Sequence, residues 1–248
     1  MLMALKGFQI LEVAGPDRAS FLQGQLTQDV RRAQADGPWL RTAALTPQGR
    51  VLATAWLWAE SDRLRLLLDS AQAAFLKTHL STYVLRSKVT LTVLDWNDAL
   101  VERVQAEAKR HLRVSMDSQT PLAHAMVLAG YAEVREATRE HFTAHQLNLD
   151  LLDAIGFEKG CYTGQEIVVR TAHRGQAKRR LVTLRGTPCV LAPLTVLTPH
   201  PAPVDTPETA IVVDSATIAA HTLVLALTSL TEQETWAWQG SRFQRLPA

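Results

Sequence analysis

The segment from residue 39 to residue 69, WLRTAALTPQGRVLATAWLWAESDRLRLLLD, constrains the fold of this chain more than any other feature. Apolar runs on both sides of the Pro-Gln-Gly turn at 47–49 predict two strands, and a second turn at 60–62 leads to a third. Turns this short join antiparallel neighbours, because parallel strands need a long crossover connection. The segment therefore predicts an antiparallel sheet.

Strand and helix patterns surround this segment. An apolar strand at 8–14 ends at the sequence GPD, after which Asp17 or Pro16 opens a helix through RASFLQGQL. Ser70 is the predicted N-cap of a helix through AQAAFLKTHLSTYV, which a strand at 88–94 and a helix at 97–112 follow. Hairpins mixed with helices in this way predict an α+β protein with antiparallel sheets and packed helices.

The character of the sequence changes after residue 180. Prolines recur among short β-rich runs, and the helical periodicity ends. We therefore predict two domains, one over 1–180 and a small C-terminal β-barrel over 181–248. The stretch 199–207 is predicted to be an exposed loop, and the final SRFQRLPA a loose tail.

Composition narrows the class of protein. The 248 residues carry a net charge of +2 with basic residues spread along the chain, which alone favours neither the presence nor the absence of nucleic-acid binding. No run of 18 apolar residues occurs, so no membrane span is expected. The first residues lack the pattern of a signal peptide, and two cysteines are too few for a disulfide scaffold. We expect a cytoplasmic protein in which Cys161 is a free thiol.

The segment EKGCYTGQEIVVR at 158–170 concentrates reactive and polar side chains. Its glycines permit unusual backbone angles, and Thr163 with Glu166 has the form of a capping box that opens a helix. Cys161 could be a nucleophile, a metal ligand or a small side chain in a connecting loop. A single Cys is a poor zinc or iron–sulfur site, so no metal site is expected, and no spacing rule links it to a His of a hydrolase. The pattern leaves an inert loop and a binding loop open.

Two further stretches are polar. FLQGQLTQDV at 21–30 places Gln25, Thr27 and Asp29 after an apolar helix, where a solvated helix end is the simplest interpretation. NLDLLDAIGFEKG at 148–160 combines Asn148, a predicted N-cap, with an apolar helical stripe. The six tryptophans are expected in the core or at half-buried strand positions.

Taken together, these motifs resemble a known family. FLQGQLTQDV, ALTPQGRV at 44–51, NLDLLDAIGFEKG and KGCYTGQE at 159–166, continued by IVVR and HRGQAKRRL, occur in the order found in the YgfZ family, and the resemblance covers most of residues 5–185. These are folate-binding proteins related to the T-protein (GcvT, aminomethyltransferase) of the glycine cleavage system. The resemblance implies the GcvT/YgfZ-like fold, with tetrahydrofolate in a central hole lined by the N-terminal region and the Cys-containing loop.

The resemblance also implies site residues, a cofactor and partners. Cys161 would be a functional thiol, and the ligand would be tetrahydrofolate or a derivative. The expected folate-binding residues are Phe8, Gln25, Thr27, Asp29, Asn148, Lys159, Gly160, Tyr162, Gly164, Gln165, Glu166, Arg170 and Arg174. The cationic side chains among them would meet the glutamyl carboxylates of folate, and Gln165 or Glu166 would meet polar ring edges. The implied partners are iron–sulfur client or assembly proteins, without direct binding to nucleic acid or membrane.

Departures from the family pattern and from the related enzymes refine this expectation. The glycine-cleavage enzymes carry an acidic pair after the hairpin glycine, where this chain has Ala53 and Thr54, neither of which can act as a carboxylate base. Leu122 replaces an aromatic residue that stacks on folate in some members, whereas Phe8 keeps another, and the chain is shortened at about 94–130. We therefore expect an accessory protein of iron–sulfur cluster assembly or repair, and through it of tRNA modification. The alternatives are a folate-dependent one-carbon transferase that uses Asp29 or Glu166, and a ligand-free adaptor.

Overall fold

The structure is a computed structural model that describes residues 7–35, 37–95, 121–174, 177–201, 209–229 and 233–247. The elements of its N-terminal part are β1 (Phe8–Ala14), α1 (Arg18–Gln23), β2 (Leu40–Leu45), β3 (Val51–Glu60), β4 (Arg63–Asp69), α2 (Ser70–Ser81), β5 (Thr90–Leu94), α3 (Leu122–Leu128) and α4 (Gln165–Arg174). Its C-terminal part contributes β6 (Arg179–Gly186), β7 (Val196–Pro199), β8 (Ala210–Ile218), β9 (His221–Ser229), β10 (Thr235–Trp238) and β11 (Ser241–Arg245). The helix predicted at 97–112 lies outside the described residues.

The N-terminal strands form one antiparallel sheet in the order β2-β3-β4-β1-β5. This confirms the sheet predicted from residues 39–69. In the first turn the Gly49 N–H donates to the Thr46 carbonyl at 2.9 Å. Gly49 has a φ of +73°, which only glycine adopts at little cost, so the turn depends on that residue.

Apolar side chains cover both faces of this sheet. One face packs with α1 and α2, and the other holds an aromatic cluster that includes Phe8 and Leu122. The rings of Trp39 and Trp58 in this cluster stack with centroids 4.1 Å apart. The buried positions of Trp39, Trp56, Trp58 and Trp236 and the half-buried position of Trp238 confirm the expectation for the tryptophans, while Trp96 lies outside the described residues.

Helix α2 forms as predicted, but its cap differs by one residue. The carboxylate of Asp69 accepts hydrogen bonds from the backbone N–H groups of Ala71 and Gln72 at 3.0 and 3.4 Å. Ser70 is the first residue of the helix and not its N-cap, so that prediction was wrong. Asp and Ser are both good N-cap residues, and adjacent candidates compete for the position.

Residues 144–153 form a series of turns, although the sequence predicted that Asn148 opens a helix within 148–160. Asn148 has a φ of +57°, which a helical residue does not adopt. Its side-chain amide donates to the Leu181 carbonyl at 3.1 Å, so it joins this segment to β6 and caps no helix. Leu147, Leu149 and Ile155 still reach the core, and for that reason the apolar spacing resembled a helix.

Strands β6 to β11 close into a barrel in the order β10-β11-β6-β9-β8-β7, which confirms the predicted C-terminal β-barrel. Two details of the prediction were wrong. The final segment is β11, paired with β10 and β6, and Phe243 is fully buried inside the barrel. Pro199 ends β7 opposite Trp236 and does not begin a loop, while 202–208 lies outside the described residues.

The outer face of the barrel packs against the N-terminal part. Leu181, Leu223 and Leu225 share one buried cluster with Leu45 and Phe142. The domain boundary at 180/181 therefore stays a prediction. No helix in the described ranges has the length and apolar character needed to cross a membrane.

Candidate functional site

The two polar stretches at 21–30 and 158–170 meet in the structure, and Lys159 makes their central contact. Its ammonium group donates to the carbonyl oxygens of Gln23, Leu26 and Gln28 at 2.7, 2.6 and 3.0 Å. An ammonium group has three donors and no acceptor, so these three carbonyls use its full hydrogen-bonding capacity. Lys159 thus ties the first residues of the KGCYTGQE motif to the segment after α1.

Additional hydrogen bonds join the same two stretches. The fully buried Thr27 hydroxyl donates to the Ala154 carbonyl at 2.7 Å, and the Gly156 N–H donates to the Thr27 carbonyl at 2.9 Å. On the other side of the loop the Thr163 N–H donates to the Gly24 carbonyl at 3.2 Å. The loop between these contacts is therefore fixed at both ends by residues about 130 positions away in sequence.

Lys159 is buried, which changes its acidity. Burial lowers the pKa of its ammonium group to about 8, although the Asp29 carboxylate acts in the opposite direction. The Lys159 nitrogen also lies 4.7 Å from the centre of the Tyr162 ring, and burial raises the pKa of the Tyr162 phenol to about 12. A contact between Lys159 and a folate carboxylate stays a prediction, and it would replace at least one of the three carbonyl contacts.

Asp29 is held by its neighbours. Its carboxylate accepts hydrogen bonds from the Gln23 amide at 3.0 Å and from the Arg31 guanidinium at 2.7 and 2.9 Å. The hydrogen bonds from Arg31 hold the pKa of Asp29 well below its usual range, against the raising effect of burial. A carboxylate that binds its proton so weakly is a poor general base near neutral pH.

Two glycines position helix α4 against the β2–β3 turn. Gly164 has a φ of +81°, and a Cβ atom there would lie 2.5 Å from the Thr46 carbonyl oxygen. A Cβ on Gly49 would lie 2.7 Å from the Ile167 Cβ. The helix begins at Gln165, one residue later than the predicted Thr163 cap requires. Close backbone contact at the two glycines therefore places the helix.

Cys161 is exposed and its thiol is free, as expected. Its neighbour Gly160 is also exposed, and a Cβ there would meet no atom within 4 Å. The structure thus presents the thiol to solvent on a loop whose two ends are fixed. Within the described ranges, no group of three or more His, Cys, Asp or Glu side chains is arranged to hold a metal ion.

The other predicted site residues have varied surroundings. Gln25 and Gln165 are partly buried, and Glu166 and Arg170 are exposed on α4. The side chain of Arg174, the last residue of α4, is outside the described part of the chain. Phe8 belongs to the aromatic cluster of the sheet, and Asn148 contacts the barrel strand β6, so neither takes part in the hydrogen bonds around Lys159 described above.

Comparison with known proteins places the chain in a family, although no protein-family model matches it. The mitochondrial iron-sulfur cluster assembly factor IBA57 homolog of Pyricularia oryzae is 30% identical over 227 residues, covering 76% of this chain and 57% of that protein. An uncharacterized protein of Haemophilus influenzae is 30% identical over 201 residues, covering 72% and 71%. The tRNA-modifying protein YgfZ of Serratia proteamaculans is 27% identical over 240 residues, covering 75% and 71%. The chain belongs to the YgfZ/GcvT-related family.

The fold of the YgfZ/GcvT-related family is also found in a solved structure. The glycine cleavage system aminomethyltransferase T of Bartonella henselae superimposes with a TM-score of 0.67 over 98% of this chain and 84% of that one, at 11% identity. At that identity the likeness establishes the fold alone. The chain spans little more than half of two fungal relatives, 57% of the Pyricularia oryzae protein and 53% of its Neurospora crassa counterpart.

The structure also reveals a buried carboxylate that the sequence did not point to. At position 54, one of the two positions where the resemblance implies an acidic pair in the related enzymes, the Thr54 hydroxyl donates to a Glu133 carboxylate oxygen at 3.1 Å. The Arg41 guanidinium donates to the other oxygen at 2.7 Å, and all three side chains are buried. Burial raises the pKa of Glu133 to about 7, opposed by Arg41. Glu133 follows no motif, so only the contact across 79 residues could have identified it.

Arg135 extends this buried ionic cluster to the barrel. Its guanidinium contacts Asp69 at 2.6 Å and Asp214 at 3.3 Å, and the Glu133 N–H donates to Asp214 at 3.0 Å. Burial raises the pKa of Asp214, although Arg135 opposes this. The cluster connects β4 of the YgfZ-like sheet to β8 of the barrel through the segment 133–135.

Proposed function

We propose that this protein is a tetrahydrofolate-binding accessory protein of iron–sulfur cluster assembly or repair, acting through iron–sulfur enzymes in tRNA modification. Its family supports the proposal, since relatives are named as an iron–sulfur cluster assembly factor and as a tRNA-modifying protein. The observation that carries it is the exposed Cys161 on a loop that Lys159 and Thr163 fix at both ends. We further propose a cytoplasmic location and iron–sulfur assembly or client proteins as partners.

An apolar cluster and one unpartnered N–H donor support the proposed binding of the folate ring system. Phe8 and Leu122 lie in one apolar cluster with Trp56, a suitable wall for aromatic rings. Beside it the Arg41 guanidinium lies 5.2 Å from the centre of the Trp56 ring. The buried Nε of Arg41 has no hydrogen-bond partner among the described residues, which leaves one N–H donor for a ring acceptor. Tetrahydrofolate would supply a one-carbon carrier, and these side chains would bind and orient it.

The glutamyl carboxylates of folate need cations closer to solvent. Arg170 is exposed on α4, on the same segment as Cys161, and Arg174 ends that helix. Because the donors of Lys159 are matched by backbone carbonyls, we assign the carboxylates to the arginines first. Gln165 and Glu166 would contact polar ring edges, as expected from the resemblance.

Isothermal titration with tetrahydrofolate tests the binding step. We expect saturable heat for the natural chain and weaker binding for Arg170→Gln, because a charge-assisted contact is lost. Arg242→Gln, which alters an exposed residue of barrel strand β11, is the matched control and should bind as the natural chain does. No heat at high micromolar concentrations of protein and ligand would overturn folate binding and favour the ligand-free adaptor.

One observation keeps the rival function, a folate-dependent one-carbon transferase, open to test. The Asp29 carboxylate is hydrogen-bonded to Arg31. The Glu133 carboxylate, however, contacts Thr54, so it reaches one position of the missing acidic pair. Formation of 5,10-methylenetetrahydrofolate from an aminomethyl donor would favour the transferase. Folate binding without any such turnover is the result that the accessory role predicts.

A further inference from the structure

A basic cluster lies between helix α3 and the barrel, apart from the Cys161 loop. The ring of His124 on α3 lies beside the ring of His221 at the start of β9. The two ring centroids are 5.2 Å apart, and the planes are tilted by 56°. Arg185 on β6 places a guanidinium nitrogen 3.3 Å from Nδ1 of His221. Three elements that are distant in sequence thus bring two imidazoles and a guanidinium together.

The groups in this cluster disfavour one another's positive charge. Burial lowers the pKa of His124, and His221 and Arg185 lower it further. Burial and Arg185 also lower the pKa of His221. In the part of the chain that the structure describes, no carboxylate pairs with Arg185 or hydrogen-bonds to either ring. Among the described residues, the cluster therefore has an excess of positive charge and no counter-charge.

The charged groups of β6 and β8 that remain are used elsewhere, and β11, which pairs with β6, adds only the cations Arg242 and Arg245. Asp214 on β8 pairs with Arg135, and Arg180 on β6 pairs with Asp150 at 2.8 Å. Arg179 donates to backbone carbonyls at the other end of β6. Helix α3 carries no titratable side chain apart from His124. None of these groups neutralises the cluster.

A second observation points to a ligand. The side chain of His124 is more than nine-tenths buried, and its Nδ1 atom has no hydrogen-bond partner among the described residues. Buried polar atoms in proteins nearly always have a partner, and an exception needs an explanation. Arg185 is exposed and His221 half-buried, so the cluster is open to solvent on the side of the guanidinium.

We propose that His124, Arg185 and His221 form a binding site for a tetrahedral dianion, the phosphate group of a small molecule. A guanidinium offers two parallel N–H donors and each imidazolium can add one more, which together match an anion with at least three acceptor oxygens. A carboxylate has only two oxygens, so two of the four donors would have to share an acceptor atom with another donor. On binding, His221 takes up a proton at Nδ1, and the Arg185 N–H that pointed there turns to the anion.

Binding at this site is coupled to proton uptake by the histidines. An anion beside the rings favours their charged forms, so it raises their pKa values from below the usual value of 6.5. By linkage, the anion binds more tightly at low pH than at high pH. Sulfate is a better probe of this coupling than phosphate, because sulfate keeps a charge of minus two across the range from about pH 5.5 to pH 7.5.

The experiment is a titration of the full chain with sodium sulfate at constant ionic strength, followed by the NMR signals of the histidine rings. We expect the signals of His124 and His221 to shift saturably. The affinity should be about tenfold higher at pH 5.5 than at pH 7.5, which corresponds to a total gain of about one pKa unit by the two rings. Inorganic phosphate should shift the same signals. The signal of His79, a half-buried histidine on α2, should stay in place.

Variants separate the site from general charge effects. Arg185→Gln alters an exposed residue and should weaken sulfate binding at least tenfold, and His221→Gln should reduce the pH dependence of binding. His79→Gln is the matched control and should bind sulfate as the natural chain does. Unshifted His124 and His221 signals, pH-independent affinity, or unchanged binding by Arg185→Gln would each overturn the proposal. None of these readouts depends on folate or on Cys161.

Discussion

Lys159 illustrates how a single charged residue can shape a loop without meeting solvent. Removing an ammonium group from water is costly unless its donors find acceptors, and here three carbonyls of residues 23–28 provide them. The same contacts hold the chain directly before Cys161. These contacts fix the loop in a position that exposes the Cys161 thiol, and the Cys161 side chain contributes little to packing.

The position of Cys161 predicts that its removal changes function and not stability. Cys161→Ser should shift the free energy of unfolding by less than about 0.5 kcal/mol, as for most exposed substitutions. If the thiol is functional, the variant should fail to complement a defect in an iron–sulfur enzyme in cells. Cys189→Ser, which alters the other of the two cysteines, should complement. Full complementation by Cys161→Ser would make the residue a passive part of the loop.

The elements of this fold differ in how far local sequence determines them. The β2–β3–β4 arrangement was predictable because its turn residues and apolar runs are adjacent in sequence. Strand β11 was missed because SRFQR has one apolar residue, Phe243, and becomes a strand only by pairing with β6 and β10. The turns at 148–153 were taken for part of a helix because apolar residues of the stretch 148–160 also face the core.

At the scale of secondary-structure elements, the position of helix α4 can be tested because it depends on Gly164. Gly164→Ala adds a Cβ that would lie 2.5 Å from the Thr46 carbonyl oxygen at a φ of +81°. We expect a loss of about 2–4 kcal/mol in the free energy of unfolding, from backbone strain and overpacking together. Thermal or denaturant unfolding measures it.

Gly160→Ala is the matched control in the same loop. A Cβ there would meet no atom within 4 Å, so the free energy of unfolding should change by less than about 1 kcal/mol. Equal effects of the two substitutions would contradict the close contact between α4 and the hairpin turn.

At the scale of the whole molecule, the buried ionic cluster joins the sheet to the barrel. Arg41 and Glu133 form its core, and Arg135 bridges Asp69 of β4 and Asp214 of β8. Buried pairs of this kind contribute little net stability, but the loss of one partner leaves a charge without compensation. They therefore favour one relative placement of the sheet and the barrel over others.

Glu133 makes the stability of the molecule depend on pH. Its pKa rises from an ordinary 4.5 to about 7 on folding, so between these values the folded state holds more protons than the unfolded state. Its contribution to stability therefore falls as pH rises through this window. Glu133→Gln removes this titration. The free energy of unfolding of the variant relative to the natural chain should rise by about 3 kcal/mol between pH 4.5 and pH 7.

Asp29→Asn is the control for this measurement, because its titration has the opposite sign. The pKa of Asp29 is lowered on folding, so Asp29 is ionised in both states above about pH 5.5 and its variant should show a constant difference there. Comparing each variant with the natural chain removes the contribution of the histidines. A constant difference for Glu133→Gln would show that Glu133 does not titrate in this range.

The sequence by itself determined the antiparallel hairpins, the C-terminal barrel and the motifs that identify the family, because turn chemistry, apolar alternation and motif order are local properties of the chain. Only the tertiary structure decided which motifs touch. It brought Lys159 to the carbonyls of residues 23–28, Gly164 to Thr46, Glu133 to Thr54 and His124 to His221. These contacts join residues that are 79 or more positions apart, and a long-range contact depends on the packing of whole elements, which no local pattern encodes.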